Sequence, residues 1–269
     1  MNIAFLGGGN MANALIGGLI ARGYDAQSIA VVETSASARE RIAAHGVRVA
    51  GAAEAIIDAA DTILLAVKPQ DARAALAPIA NHVHGKLVIS IAAGLRLAAI
   101  SRWLGGHRQL VRCMPNTPAL VAAGMAGLFA LPEVNNDERS RAAAILGAVG
   151  EVVWLSDESL LDVVTAVSGN GPAYVFWLIE QLAAFAEQAG IGREDALKLA
   201  KQTALGSATL AAQSSEPPAV LRAKVTSKGG TTEAALKVFD REQLAQRLAR
   251  ALQAATRRGA ELGDELAKE

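Results

Sequence analysis

The chain has 269 residues, enough to bury one large hydrophobic core or two smaller ones. Its 26 basic and 26 acidic residues balance, so no bulk attraction to nucleic acid or to an anionic membrane is indicated. The single cysteine, Cys113, excludes an intramolecular disulfide and fits a reducing compartment. The chain starts in an apolar run without a basic leader. We therefore expect a cytoplasmic protein without a membrane or nucleic-acid partner.

Short apolar runs alternate with helical patterns over the first part of the chain. The apolar runs predict buried strands at 3–6, 29–32, 62–67, 87–91, 109–114 and 150–155. The helical patterns cover 11–22, 36–45, 70–81, 97–104 and 137–146. Such alternation predicts an α/β domain over residues 1–155, with a doubly wound, mostly parallel sheet of the Rossmann type.

A glycine-rich turn follows the first predicted strand and opens the first helix. It reads G-x-G-x-x-A, the pattern that binds a dinucleotide in this context, although a turn without a ligand has the same composition. Gly7 permits the tight turn, and Gly9 lets a pyrophosphate approach the backbone. The predicted cofactor contacts of this turn are Gly7, Gly9, Asn10, Met11 and Ala12.

The predicted preference between NADH and NADPH stays open. Glu33 ends the second strand, where an acid accepts the ribose 2′-hydroxyl of NAD. The hydroxyls of Thr34 and Ser35, with Arg39, could instead hold a 2′-phosphate.

Later strand ends also point to the cofactor, because open α/β sheets bind ligands at the carboxyl ends of their strands. These ends supply Val67, Lys68 and Pro69 after one strand and Ala92 and Ala93 after the next. Lys68 could orient a phosphate or an amide, or it could be an ordinary solvated lysine.

The strand signal disappears after residue 155, and we expect an all-helical domain over 156–269. Helical patterns run through 157–167, 173–189, 193–212 and 241–266. A further helix over 233–239 follows the segment 227–232, which reads S-K-G-G-T-T. A helix start presents unpaired N–H groups, and glycines let a ligand approach, so this segment suits a small carboxylate or phosphate. The alternative is a helix that is simply capped after a turn.

Residues that would indicate nucleophilic, acid–base or metal-dependent catalysis do not stand in a suitable context. Cys113 reads as a buried thiol at a strand end, and no His-Asp pair or catalytic lysine stands in a suitable context. The only close histidine pair is His82 and His84, so no metal site is predicted.

Six motifs, in order, resemble the pyrroline-5-carboxylate reductase family over nearly the whole chain. They are the turn at 7–12, A-V-K-P at 66–69, S-I-A-A-G at 90–94, M-P-N-T-P at 114–118, S-G-N-G-P-A-Y-V-F at 168–176 and S-K-G-G-T-T at 227–232. The resemblance implies NAD(P)H-dependent reduction of 1-pyrroline-5-carboxylate to L-proline. It also implies an intertwined helical homodimer, commonly assembled into a ring of dimers. Asn170 stands where the family usually has Ser, and Lys228 where it commonly has Pro.

The resemblance also implies roles for site residues. The substrate carboxylate would lie on the backbone of Gly229, Gly230 and Thr231, with Lys228 as an added cation. The hydroxyls of Ser227 and Thr232 would be nearby, and Thr232 would hydrogen-bond the ring nitrogen or relay its proton. Asn116 and Asn170 would lie against the cofactor.

Two other functions are compatible with a dinucleotide domain followed by helices. A β-hydroxyacid dehydrogenase would need a lysine on the helix after Pro172, and residues 173–178 contain none. A non-catalytic dinucleotide-sensing regulator would not need the segment 227–232.

Overall fold

A computed structural model describes residues 1–267, apart from the side chains of Glu54 and Ala55. The chain packs into two compact units. The first unit is Met1–Asn170 together with the residues from Ala255 onward, and the second is Gly171–Ala254. The predicted domain boundary after residue 155 is thus 15 residues before the end of the first unit, and the end of the last helix also belongs to that unit.

One sheet forms the centre of the first unit. Its strands are β1 (Ile3–Leu6), β2 (Ile29–Val32), β3 (Arg48–Ala50), β4 (Thr62–Leu65), β5 (Leu87–Ser90), β6 (Leu110–Met114), β7 (Gly124–Ala130) and β8 (Gly150–Trp154). Their order is β3-β2-β1-β4-β5-β6-β7-β8, and every pairing is parallel except the antiparallel β6–β7 pair. The predicted doubly wound, mostly parallel sheet is confirmed, while β3 and β7 were not predicted.

The central strands β1, β4 and β5 are buried on both faces of the sheet, as their apolar sequences predict. Ile3 and Phe5 of β1 point into one core cluster, and Ala4 and Leu6 point into the other. All four residues are at most 2% exposed. Parallel strands need such cover on both faces, and this burial explains why they read as continuous apolar runs.

Helices cover the sheet in the first unit. They are α1 (Asn10–Ala21), α2 (Ala36–Ala43), α3 (Glu54–Ile57), α4 (Ala72–Leu76), α5 (Leu97–Trp103), α6 (Asn136–Leu146) and α7 (Leu160–Val164). The predicted helix over 70–81 is wrong in extent: α4 lies between the 3₁₀ turns Pro69–Asp71 and Ala77–Ile79. Pro78 lies in the second of these turns, where its missing N–H interrupts the helical ladder, whereas Pro69 begins the first turn.

The second unit is helical. It contains α8 (Gly171–Gln188), α9 (Arg193–Gln213), α10 (Pro218–Lys224), α11 (Thr231–Arg241) and the first part of α12 (Leu244–Leu266). The short α10 was not predicted. Within the described part of the chain, no helix is long and apolar enough to cross a membrane.

Candidate active site

The glycine-rich turn has the geometry that its sequence predicts. Gly7 has a φ of 100°, and a Cβ there would lie 2.7 Å from the Ala66 carbonyl oxygen, so only glycine fits. At Gly9 a Cβ would meet nothing within 4 Å, which leaves open space above the turn. The N–H groups of Asn10 and Met11, at the start of α1, have no partner among the described residues. This open, N–H-lined helix start fits a dinucleotide pyrophosphate.

The Glu33 side chain ties the turn to the end of β2. One carboxylate oxygen accepts the Gly8 N–H at 2.7 Å, and the other accepts the Ser35 N–H at 2.7 Å. Partial burial raises the pKa of Glu33, but hydrogen bonds from Ser35, Gly8 and Thr34 outweigh it and hold this pKa below its usual value. Glu33 therefore stays ionised at neutral pH and braces the turn that would receive the cofactor.

A cavity of about 320 Å³ opens beside this carboxylate. Gly7, Glu33, Thr34, Val67 and Pro78 are among its lining residues, so it lies at the carboxyl ends of β1, β2 and β4. The lining is mainly apolar and suits the adenosine end of a dinucleotide.

Arg39 and the neighbouring hydroxyls lie at the same strand end. Arg39 Nη1 donates to the Glu33 and Thr34 carbonyl oxygens at 2.8 and 2.7 Å. The Ser35 hydroxyl caps α2, where it accepts the Ala38 N–H at 3.4 Å. Of the three groups proposed for a 2′-phosphate, Arg39 and Ser35 are therefore held by local hydrogen bonds, next to the acid that suits a 2′-hydroxyl.

Three of the other predicted strand-end residues line this cavity or a second one of about 320 Å³. Val67 lines the first cavity, whereas Pro69 and Ala93 line the second, together with Asp162 and Thr165. Ala92 is buried, and its N–H donates to the Ser90 hydroxyl at 3.3 Å. The Lys68 side chain is exposed.

Asn116 fixes an unusual turn that the sequence did not predict. Residues Thr165–Gly169 form a π-helix, and the Asn170 N–H closes it on the Thr165 carbonyl at 2.8 Å. The Asn116 amide donates to the Ser168 carbonyl at 3.0 Å and accepts the Met125 N–H at 2.9 Å. The side chain predicted to contact the cofactor thus has a structural role, with one amide hydrogen left over. Such π-turns are frequent at functional sites.

A buried charge cluster beneath this turn was also missed. Arg112 of β6 has a 5% exposed side chain and lies 3.2 Å from Glu158 and 3.6 Å from Asp162. The same Glu158 oxygen accepts the Leu97 N–H at the start of α5 at 2.8 Å. A charged residue within an otherwise apolar strand is the sequence signal that could have indicated a buried ion pair.

In the second unit, the segment 227–232 forms a tight turn into α11. Gly229 has a φ of 73°, and the Gly230 N–H donates to the Ser227 carbonyl at 3.0 Å. A Cβ on Gly230 would overlap the Ser227 hydroxyl. The N-cap is Gly230, with no side-chain cap. The threonine hydroxyls therefore do not cap α11, and the structure does not support the interpretation of this segment as a simply capped helix.

The N–H groups of this turn are not equally available. Those of Gly229 and Gly230 are engaged, the first by the Glu233 carboxylate at 2.6 Å. Those of Thr231 and Thr232 have no partner within the described chain. The site that the resemblance implies therefore keeps one free donor, the Thr231 N–H, while its Gly229 and Gly230 N–H groups are engaged, and Thr232 supplies a second free donor.

Cys113 is buried in the core, as predicted. Burial raises the pKa of its thiol well above the usual value, so the nucleophilic thiolate does not form at neutral pH.

A doubly wound sheet with an open glycine turn at a helix start defines a dinucleotide-binding oxidoreductase fold. The model of the family described as "NADP oxidoreductase coenzyme F420-dependent" matches residues 2–94, and that described as "Pyrroline-5-carboxylate reductase dimerisation" matches 158–262. The chain belongs to the pyrroline-5-carboxylate reductase family.

Relatives cover nearly the whole chain. The pyrroline-5-carboxylate reductase of Pseudomonas aeruginosa is 46% identical, over 98% of this chain and 97% of its own. The solved structure of the Coxiella burnetii enzyme has a TM-score of 0.93 at 41% identity, covering 97% of this chain and 98% of its own. That of the Plasmodium falciparum enzyme with NADP bound has a TM-score of 0.84 at 27% identity, covering 98% of both.

Proposed function

We propose that this chain carries out the reaction of its family, the NAD(P)H-dependent reduction of 1-pyrroline-5-carboxylate to L-proline. The observation that carries the proposal is the turn into α11, which offers two unpaired N–H groups and two threonine hydroxyls for a small carboxylate. When bound, NAD(P)H supplies the hydride that a C=N carbon accepts. Gly7, Gly9, Asn10 and Met11 would hold its pyrophosphate.

The residues of the chain need only bind, orient and protonate the substrate. A protonated imine is already electrophilic at carbon, so a strong base is unnecessary. This agrees with the position of the His82–Asp58 pair, at 2.7 Å, which precedes β4 and β5 and so lies at the sheet edge opposite the glycine turn. Held at the start of α11, the substrate carboxylate would place the ring nitrogen near the Thr232 hydroxyl. Thr232 would then donate a hydrogen bond to that nitrogen, or relay a proton to it, as it becomes an amine.

The proposal includes the oligomeric state of the protein and its location in the cell. We expect a homodimer through the second unit, which can assemble further into a ring of dimers. The buried, unpaired Cys113 supports a reducing, cytoplasmic setting. A small-molecule substrate requires no nucleic-acid or membrane partner.

Oxidation of NADPH or NADH, followed by absorbance with 1-pyrroline-5-carboxylate, tests this function. We expect turnover by the wild type and a kcat/KM lowered ten- to a hundredfold in Thr232→Ala, a barrier change of ~1.4–2.7 kcal/mol. The matched control is Thr209→Ala, because the Thr209 hydroxyl only bonds the Leu205 carbonyl of its own helix.

Each alternative function has a distinct outcome in this assay. Turnover of a hydroxyacid with NAD(P)⁺, but not of the imine, would indicate a β-hydroxyacid dehydrogenase. Cofactor binding without turnover of either would indicate a sensing regulator. Wild-type kinetics in a folded Thr232→Ala variant would exclude the role of that hydroxyl.

A further inference from the structure

A fixed negative charge lies inside the turn that is proposed to receive a negatively charged substrate. Glu233 occupies the third position of α11, and its carboxylate accepts the Gly229 N–H at 2.6 Å. Its other oxygen lies 3.2 Å from Lys237 Nζ, one turn further along the helix. The carboxylate is therefore held from both sides, by a backbone donor and by a cation.

The bond to Glu233 stabilises a conformation that few residues adopt. Gly229 has a left-handed φ of 73°, and a Cβ there would meet nothing within 4 Å, so the position faces open space. The hydrogen bonds to Glu233 and between Gly230 and Ser227 are the contacts that fix the turn. Without the Glu233 bond, the peptide before Gly229 would be free to rotate.

Since the turn precedes the first helical residues directly, its conformation sets where their N–H groups point. Thr231 and Thr232 follow it and carry the unpaired donors. A second carboxylate at Gly229 would have to displace Glu233 against like-charge repulsion. A substrate carboxylate would therefore bind better at Thr231 and Thr232, where the donors are free and the helix dipole favours an anion.

We propose that Glu233 is a positioning residue for the substrate. By occupying the Gly229 N–H, it locks the turn and directs the substrate carboxylate to the N–H groups of Thr231 and Thr232. The inference rests on the proposed function, because it assumes that the substrate carboxylate binds at this helix start.

Two substitutions separate the effect of the Glu233–Gly229 hydrogen bond from the effect of the Glu233 charge. Glu233→Ala removes the acceptor, whereas Glu233→Gln keeps an amide oxygen that can accept the Gly229 N–H and removes only the charge. We expect Glu233→Ala to raise KM for 1-pyrroline-5-carboxylate about tenfold, with kcat and the KM for NADPH within about twofold of the wild type. Glu233→Gln should restore a KM within about twofold of the wild-type value. Asp240→Asn, on an exposed residue of the same helix, is the control for loss of a charge.

Hydrogen exchange of the Gly229 amide, followed by NMR, tests the bond without using activity. Exchange should be slow in the wild type and in Glu233→Gln, and about tenfold faster in Glu233→Ala. An unchanged substrate KM or an unchanged Gly229 exchange rate in Glu233→Ala would overturn the inference, as would a Glu233→Gln variant as impaired as Glu233→Ala. Failure of the proposed function is distinct, since the wild type itself would then not turn over the imine.

Discussion

At the scale of the residue, Glu33 has a structural role at a position where the sequence suggests a binding role. Its position after β2 predicts contact with a ribose 2′-hydroxyl. The structure shows both of its oxygens already accepting N–H groups, from Gly8 and Ser35. A carboxylate has about four lone-pair sites, so it can brace the glycine turn and still accept from a ribose.

We therefore expect Glu33→Ser to shift the cofactor preference. Loss of the brace should weaken binding of both cofactors, but loss of the negative charge should favour a 2′-phosphate beside Arg39. The ratio of kcat/KM for NADPH to that for NADH should rise about tenfold, a ~1.4 kcal/mol change. Kinetics with each cofactor measure this ratio, and Glu40→Ser, on an exposed acid of α2, is the control. An unchanged ratio would mean that Glu33 acts on the turn alone.

Residues in the two turns differ in how well the sequence predicts them. The role of Gly7 is predictable from the sequence, because a strand followed directly by a helix requires a tight turn at this position. The engagement of Gly229 was not predicted, because its partner is a side chain four residues further on. An acid at the third position of a helix often accepts a hydrogen bond from an N–H group that precedes the helix. Glu233 is therefore the residue from which this contact could have been predicted.

At the scale of the element, Arg112 joins three parts of the first unit. It connects β6 to Asp162 of α7, and Glu158 links it to the start of α5. Removing a buried cation leaves the acids that face it without a partner. This lowers the stability of the fold far more than the loss of a solvated ion pair does.

Arg112→Met should therefore lower the free energy of unfolding by about 3 kcal/mol. The matched control is Arg108→Met, because Arg108 pairs with Glu133 at the surface, with side chains 49% and 41% exposed, and we expect less than about 1 kcal/mol there. Urea unfolding at a fixed protein concentration measures both. Equal effects of the two substitutions would contradict a structural role for the cluster.

The strand β7 was missed for a physical reason. The strand β7 contains Gly124 and Gly127, which sequence propensity counts against a strand. A Cβ on Gly127 would lie 2.9 Å from the Val164 methyl groups, so glycine is there to let α7 approach the sheet. Contacts between elements that are distant in the chain cannot be predicted from the local sequence pattern. The buried strands β1, β2, β4 and β5 can, because each one is a continuous apolar run.

At the scale of the whole molecule, the second unit lacks a core of its own. On α8, Phe176, Trp177 and Phe185 are 60%, 59% and 73% exposed, while Ala183 is the buried residue of that helix. Monomeric proteins rarely expose large apolar surfaces of this kind. The match of the dimerisation family model to 158–262 agrees with a partner subunit that covers these side chains.

We expect Phe185→Gln to weaken self-association, because it replaces a highly exposed aromatic side chain of α8 with a polar one. Sedimentation equilibrium over a range of concentrations should show a dimer or larger assembly for the wild type, and a dissociation constant raised at least about tenfold in the variant. Glu187→Gln on the same helix is the control, since an exposed polar position should tolerate the change. A wild type that stays monomeric at micromolar concentrations would show that the apolar surface of α8 does not serve self-association.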